Sequence, residues 1–126
     1  MAWSHGKFYW NELMTRDVEA SKRFFAATLG WSFDAMPMGP GDTYWIVKSG
    51  GDMVGGLMPI GGPEFAGVPE AWLGYIAVDD VDARAKKVAA EGGKVMKEPF
   101  DVPGVGRIAI VTDSRGAAEG IMTPAG

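Results

Sequence analysis

The chain has 126 residues, 47% of them hydrophobic and 22% charged, and reads as one globular domain able to bury a core. Twelve basic residues against sixteen acidic ones leave a net charge of −4 with no Lys/Arg run, which argues against nucleic acid and an anionic membrane surface as partners. There is no cysteine, which excludes disulfides, thiolate catalysis and Cys-based zinc sites; no apolar run approaches the roughly 20 residues of a membrane span, and a cytoplasmic location is expected.

Residues 1–7 are expected to form a loose arm. Alternation predicts a first strand over 8–15, with Phe8, Trp10, Glu12 and Met14 on one face and Tyr9, Asn11, Leu13 and Thr15 on the other. Asp17 stands where a helix N-cap belongs, and Glu19 adds negative charge at the positive end of the helix dipole. Val18, Phe25 and Leu29 form an apolar stripe that Phe24 widens, and Gly30 suits a left-handed stop. A second strand begins at Trp31-Ser32-Phe33. Pro40, flanked by Gly39, Gly41 and Asp42, predicts a turn, and residues 43–48 form a β-rich run. Ser49-Gly50-Gly51-Asp52 reads as a hairpin turn before a strand over Met53 to Met58. The Gly- and Pro-rich stretch from Pro59 to Pro69 reads as a linker.

The same order then returns. Ala71 to Val78 is a strand, Asp80 caps a helix running to about Glu91, and Gly92-Gly93 stops it. Lys94-Val95-Met96 is a strand, Pro99 to Gly106 a loop, Arg107 to Val111 a strand, Asp113-Ser114-Arg115-Gly116 a turn, and Ala118 to Met122 the closing strand. The halves also share residues. Asp17-Val18-Glu19-Ala20 returns 63 positions later as Asp80-Val81-Asp82-Ala83, Ala26-Ala27 as Ala89-Ala90, and Gly30 as Gly93. Gly56-Leu57-Met58 returns as Gly120-Ile121-Met122 at an offset of 64. Two copies are too few for a solenoid. The expected architecture is an α+β single domain over 1–126, built of two tandem βαβββ modules with pseudo-twofold symmetry. Module one covers about 8–59, the linker about 60–69 and module two about 70–124.

Leu13 to Asp17 with its helix and Leu29-Gly30-Trp31, the run Ala77-Val78-Asp79-Asp80-Val81-Asp82, and the Asp113-Ser114-Arg115-Gly116 turn together resemble the vicinal oxygen chelate superfamily. That group includes glyoxalases, extradiol dioxygenases and bleomycin-resistance proteins. The resemblance implies curved sheets forming a cleft with the helices outside, and a homodimer. It also implies where a metal-dependent member would place its ligands: the first-strand residue seven before the capping Asp, its repeat in module two, the residue four after the glycine of the turn, and that residue's module-one counterpart. Here those positions hold Trp10, Leu73, Gly120 and Gly56, so no metal and no cofactor is expected. Glu119 stands one residue away, and alternation turns it to the other face. The only histidine, His5, falls in the arm.

By alternation, Trp10, Glu12 and Met14 line the cleft with Leu73, Tyr75 and Ala77. Met58 and Met122 share the parity of Gly56 and Gly120 and join them, and Trp45, Val47, Ile108 and Ile110 add apolar surface. Such a lining suits a planar or apolar small molecule, and the same residues could instead fill a closed core. Glu12 is costly to bury unpaired. It is either a general base or hydrogen-bond anchor, or the ion-pair partner of Arg107 or Lys48, or a rim residue open to water. Asp17 and Asp80 read as caps rather than as a catalytic carboxylate pair. Gly104-Val105-Gly106 precedes a strand and lacks a third glycine, so it is loop geometry. Trp3, Trp31 and Trp72 read as packing residues, with Trp72 under the helices. The expected function is metal-free binding of a small apolar or aromatic molecule. The alternative is a lyase, isomerase or dioxygenase-type enzyme using Glu12 as general base or a non-standard metal site.

Overall fold

The computed structural model describes residues 3–39 and 42–125. The chain runs β1 (Phe8–Thr15), α1 (Val18–Leu29), β2 (Ser32–Gly39), β3 (Asp42–Ser49), β4 (Asp52–Pro59), a 3-10 helix (Pro63–Phe65), β5 (Ala71–Ala77), α2 (Val81–Ala90), β6 (Lys94–Val102), β7 (Gly106–Thr112) and β8 (Ala118–Pro124). This is the α+β architecture of two tandem βαβββ modules. It forms two compact units, Asn11–Trp72 in one and Leu73–Gly126 with Met1–Trp10 in the other.

The first unit has strand order β2-β3-β4-β1. β1 runs parallel to β4, pairing Glu12 with Gly56 and Met14 with Met58, while β2, β3 and β4 pair antiparallel. The second unit repeats this as β6-β7-β8-β5, with β5 parallel to β8 through Tyr75–Gly120 and Ala77–Met122. Each helix packs on one face of its sheet. Under α1 lie buried Leu13, Val47 and Leu57, with Val18, Phe25, Trp31, Phe33 and Trp45 against them. Under α2 lie Val78, Val81, Ala85, Ala109, Val111 and Ile121.

The helix boundaries follow local chemistry. The Asp17 carboxylate accepts from the Ala20 N–H at 3.0 Å, and the Asp80 carboxylate from the Ala83 N–H at 3.1 Å, each satisfying an orphan donor of the first turn. Gly30 ends α1 at φ 70, where its N–H reaches the Ala26 carbonyl. In the β3–β4 hairpin Gly50 and Gly51 take φ 58 and 92, the pair of positive values a two-residue turn between twisted strands demands. The Asp113 carboxylate accepts from the Arg115 and Ala117 N–H groups and so holds the β7–β8 turn.

Three expectations need correction. The stretch from Pro99 is not a loop, because β6 continues to Val102. Its register with β7 breaks between Lys97 and Phe100, and this irregularity seats a proline that has no N–H to give. The linker is not featureless, since it contains the 3-10 helix, and Arg16 donates to the carbonyls of Phe65 at 3.0 Å and Val68 at 2.7 Å. Over its described residues, 3–7, the arm is not loose. The Gly6 N–H donates to the Ala77 carbonyl at 2.7 Å and the Ala77 N–H donates to Lys7 at 2.9 Å, so two residues oppose one; with Gly6 at φ 85 this is a glycine β-bulge. His5 is tied down too, its Nδ1 accepting from the Asp79 N–H at 3.0 Å. Trp72 meets Phe25 of α1 and Trp31 edge-on, as a packing residue should, yet 42% of it stays exposed. The turn expected at Pro40 and Gly41 lies outside the described residues.

Candidate functional site

The sheet faces turned away from the helices carry the candidate residues. In the first unit Leu13, Val47 and Leu57 point at α1, so alternation sends Glu12, Met14, Tyr44, Ile46 and Met58 to the opposite face. Glu12, Met14 and Tyr44 are buried, at 7%, 6% and 8% exposure. Glu12 lies in register beside Gly56, and a Cβ on Gly56 would collide with the Tyr44 hydroxyl. The phenol of β3 therefore reaches over the bare glycine of β4, next to the carboxylate of β1.

Trp45 is not part of this face, contrary to expectation. Its register partner is Leu57, and it sits in the α1-side cluster with the Lys22 Nζ 3.5 Å from its ring centroid. Tyr44, one residue earlier, takes the place on the helix-free face that Trp45 was expected to hold. Sequence reasoning passed over Tyr44; a glycine on the strand beside an aromatic residue was the one signal that could have found it. The two cations weighed as partners of Glu12 are engaged elsewhere. Lys48 pairs with Asp34 at 2.6 Å, and Arg107 with Asp82 at 2.7 Å and Asp101 at 3.1 Å.

In the second unit the face away from α2 holds Leu73, Tyr75, Ala77 and Met122, all 3% exposed or less, with Ile108 and Ile110 half-buried beside them. The Tyr75 ring covers Gly120, where a Cβ would meet ring carbons. Trp10 is half-buried, and Phe8 lies over Gly74, within 2.9 Å of where a Cβ would stand. Glu119 pairs with Val111 and so belongs to the α2 side, as alternation indicated. It borders a depression with Val88, Glu91, Thr112 and Asp113. Burial raises its carboxyl pKa, and the charge of Asp113 raises it further.

A divalent ion does not fit the positions the resemblance marks. Trp10 and Leu73 offer no imidazole or carboxylate, and at Gly56 and Gly120 tyrosine rings fill the space where a ligating side chain would begin. Among the described residues no three His, Cys, Asp or Glu side chains converge. What the first unit does assemble is a buried carboxylate and a phenol on one apolar face, a hydrogen-bond acceptor beside a hydrogen-bond donor.

The chain matches the profile of the Glyoxalase/Bleomycin resistance protein/Dioxygenase superfamily over residues 7–118. It is 42% identical over 120 residues to the protein named "Putative glyoxylase CFP32" of Mycobacterium tuberculosis, a match covering 95% of this chain and 45% of that protein. It is 34% identical to the anthracycline biosynthesis protein DnrV of Streptomyces peucetius, covering 86% of this chain and 44% of the relative. The chain thus spans less than half the length of these curated relatives. Among solved structures, hypothetical protein BH1468 from Bacillus halodurans superposes with a TM-score of 0.69 at 15% identity, covering 98% of this chain and 97% of the other. A methylmalonyl-CoA epimerase complex superposes at 0.66 with 20% identity, covering 97% and 96%. These two likenesses establish the fold.

Proposed function

Because the chain belongs to the Glyoxalase/Bleomycin resistance protein/Dioxygenase superfamily, we propose that it binds a small planar or apolar molecule on its helix-free sheet faces without a divalent metal. One observation carries this reading. A carboxylate, Glu12, is buried at 7% exposure beside the strand position that the Tyr44 phenol covers, on a face whose metal-ligand positions hold no donors. A few convergent polar groups on an aromatic and methionine surface are the usual means of orienting such a ligand. On the face of the first unit Met14 and Met58 supply apolar contacts and Glu12 fixes the polar end; on the face of the second, Trp10, Leu73, Tyr75, Ile108 and Met122 supply an apolar surface of their own.

A panel of planar aromatic compounds titrated against tryptophan fluorescence tests this, with Trp10→Ala as the control for the signal. Glu12→Gln is expected to weaken the best compound about tenfold, the size of one hydrogen bond to a charged group. Panel-wide absence of saturable binding would sink the reading.

The burial of Glu12 also favours a second reading, that of a lyase or isomerase in which Glu12 is the general base, in keeping with the name of the mycobacterial relative. The two readings separate on Glu12→Gln: lost turnover with binding retained points to catalysis, and equal loss of affinity points to anchoring. We further take the protein to act in the cytoplasm as a homodimer.

A further inference from the structure

For a helix packed on a sheet, α1 is thinly covered. It buries no residue along its length, whereas α2 buries Val81 and Ala85. Phe24 is 60% exposed and Leu29 54%. The Phe24 ring stands edge-on to Phe25 with 5.1 Å between centroids, Phe25 meets Trp31 at 5.2 Å, and Trp31 meets Trp72 at 5.9 Å. The four rings form one continuous cluster, and both of its ends, Phe24 and Trp72, reach solvent. Ala20, Arg23, Phe24 and Ala27 recur at three- and four-residue spacing, so they form one row on the side of α1 opposite Val18 and Phe25. Glu19 flanks that row next to Arg23.

The duplicated fold supplies a comparison. At the positions 63 residues on, Ala20 and Ala27 return as Ala83 and Ala90, but Arg23, Phe24 and Leu29 become Lys86, Lys87 and Gly92. A helix in this place is therefore free to be charged and solvated, as α2 is, and the apolar outer surface of α1 is not a demand of the fold. Its charges suit a second α1. A twofold axis through the row sets two such helices antiparallel, with Phe24 of each over the small Ala20 of the other and Arg23 of each beside the other's Glu19. Glu19 also meets Lys22 of its own helix at 3.2 Å, but that pair is exposed and the carboxylate can accept from a second cation.

We propose that the outer row of α1, with the ring cluster from Phe24 to Trp72 beside it, is the surface on which a second copy of this chain docks, the two α1 helices lying antiparallel. The proposal rests on the reading of the chain as a homodimer and adds the surface and the pairing. Aromatic residues and arginine at the centre with charges at the rim are the composition of interfaces that take roughly 800 Å² from each partner. The mycobacterial relative carries chain enough to cover such a surface from within. The match spans 45% of it, so more than another length of this domain lies outside the match, room for a second domain in the same polypeptide.

Sedimentation velocity of the full chain, run as a dilution series, separates the proposal from its premise. The wild type is expected at twice 13.4 kDa. Phe24→Lys installs the residue that α2 carries at the matching place, and it is expected to raise the dimer dissociation constant about 30-fold or more with the circular dichroism unchanged. Arg23→Glu sets like charges face to face and should weaken the dimer about tenfold. The double variant Glu19→Arg/Arg23→Glu exchanges the two charges and should return to within about threefold of the wild type. If Phe24→Lys fails to fold, the charge exchange decides alone. A wild-type dimer that neither Phe24→Lys nor Arg23→Glu weakens overturns this surface and leaves the homodimer standing. Weakening by Arg23→Glu that the double variant does not repair overturns the antiparallel pairing. A monomeric wild type overturns the homodimer and the proposal together, and if that monomer binds phosphatidylcholine vesicles and Phe24→Lys does not, a bilayer rather than a second copy covers the face.

Discussion

At residue 56 the chain has no room for one methyl group, and the consequences can be measured. Gly56→Ala should cost about 1–3 kcal/mol in urea denaturation, because a Cβ there meets the Tyr44 phenol and the ring must leave a well-packed position. Two carboxylates give opposite pH signatures. The Asp79 carboxyl is drawn down to about 2 by its hydrogen bonds from Arg84 and the charge of that guanidinium. A depressed folded value adds stability that is full above the ordinary carboxylate range and is lost as pH falls through it toward 2. Asp79→Asn should therefore flatten the acid limb of a plot of unfolding midpoint against pH, and an unchanged limb would refute this. Glu119 is shifted upward, so its ionised form is disfavoured in the folded state and stability falls as pH rises through its titration. Glu119→Gln should then be more stable than wild type at neutral pH and equal to it in acid. Glu12 could be read from sequence, because a charged residue alternating with Trp10 and Met14 on a strand must point inward. Tyr44 could not be read, because the face each β3 residue takes depends on cross-strand register, and that register shifts at Val47–Lys48.

The helices were the most legible elements. Asp17 and Asp80 cap as their chemistry demands, and replacing either by Ala should cost about 1 kcal/mol, read as a lower thermal midpoint. β6 was misread because Pro99 argues against a strand, and the argument fails at an edge strand whose register is broken there. The structured linker was hidden for another reason. Its 3-10 helix is held by Arg16, 49 and 52 residues away in sequence from the carbonyls it binds. Arg16→Ala should accelerate limited proteolysis within 61–69 and leave the melting of the two modules nearly unchanged.

On the scale of the whole molecule, the duplicated Asp-Val-x-Ala and Gly-x-Met segments carried the fold. They fix two helix starts and two closing strands, and the observed strand order repeats with them. Pairing partners between strands distant in sequence were not legible, and with them went the faces of Trp45 and Val47 on β3. Among the described residues no helix is long and apolar enough to cross a membrane. The proposed homodimer predicts a sedimentation mass twice 13.4 kDa. Strand-edge pairing is a poor route to it, because the outer strands carry Pro37 and Pro99 beside breaks in register.

The tyrosine over Gly56 also limits which descendants this chain can reach by single steps. A Glu introduced at 56 runs into the phenol before it can meet any ion. Trimming Tyr44 first leaves a void beside a glycine with nothing to fill it. Each change alone should cost stability, the first by overpacking and the second by leaving a cavity, and both are needed to clear a place for a carboxylate at 56, so their effects should not add. A carboxylate at 56 is therefore uphill from the present sequence in either order, while volume-conserving exchanges among Met14, Ile46 and Met58 should cost little.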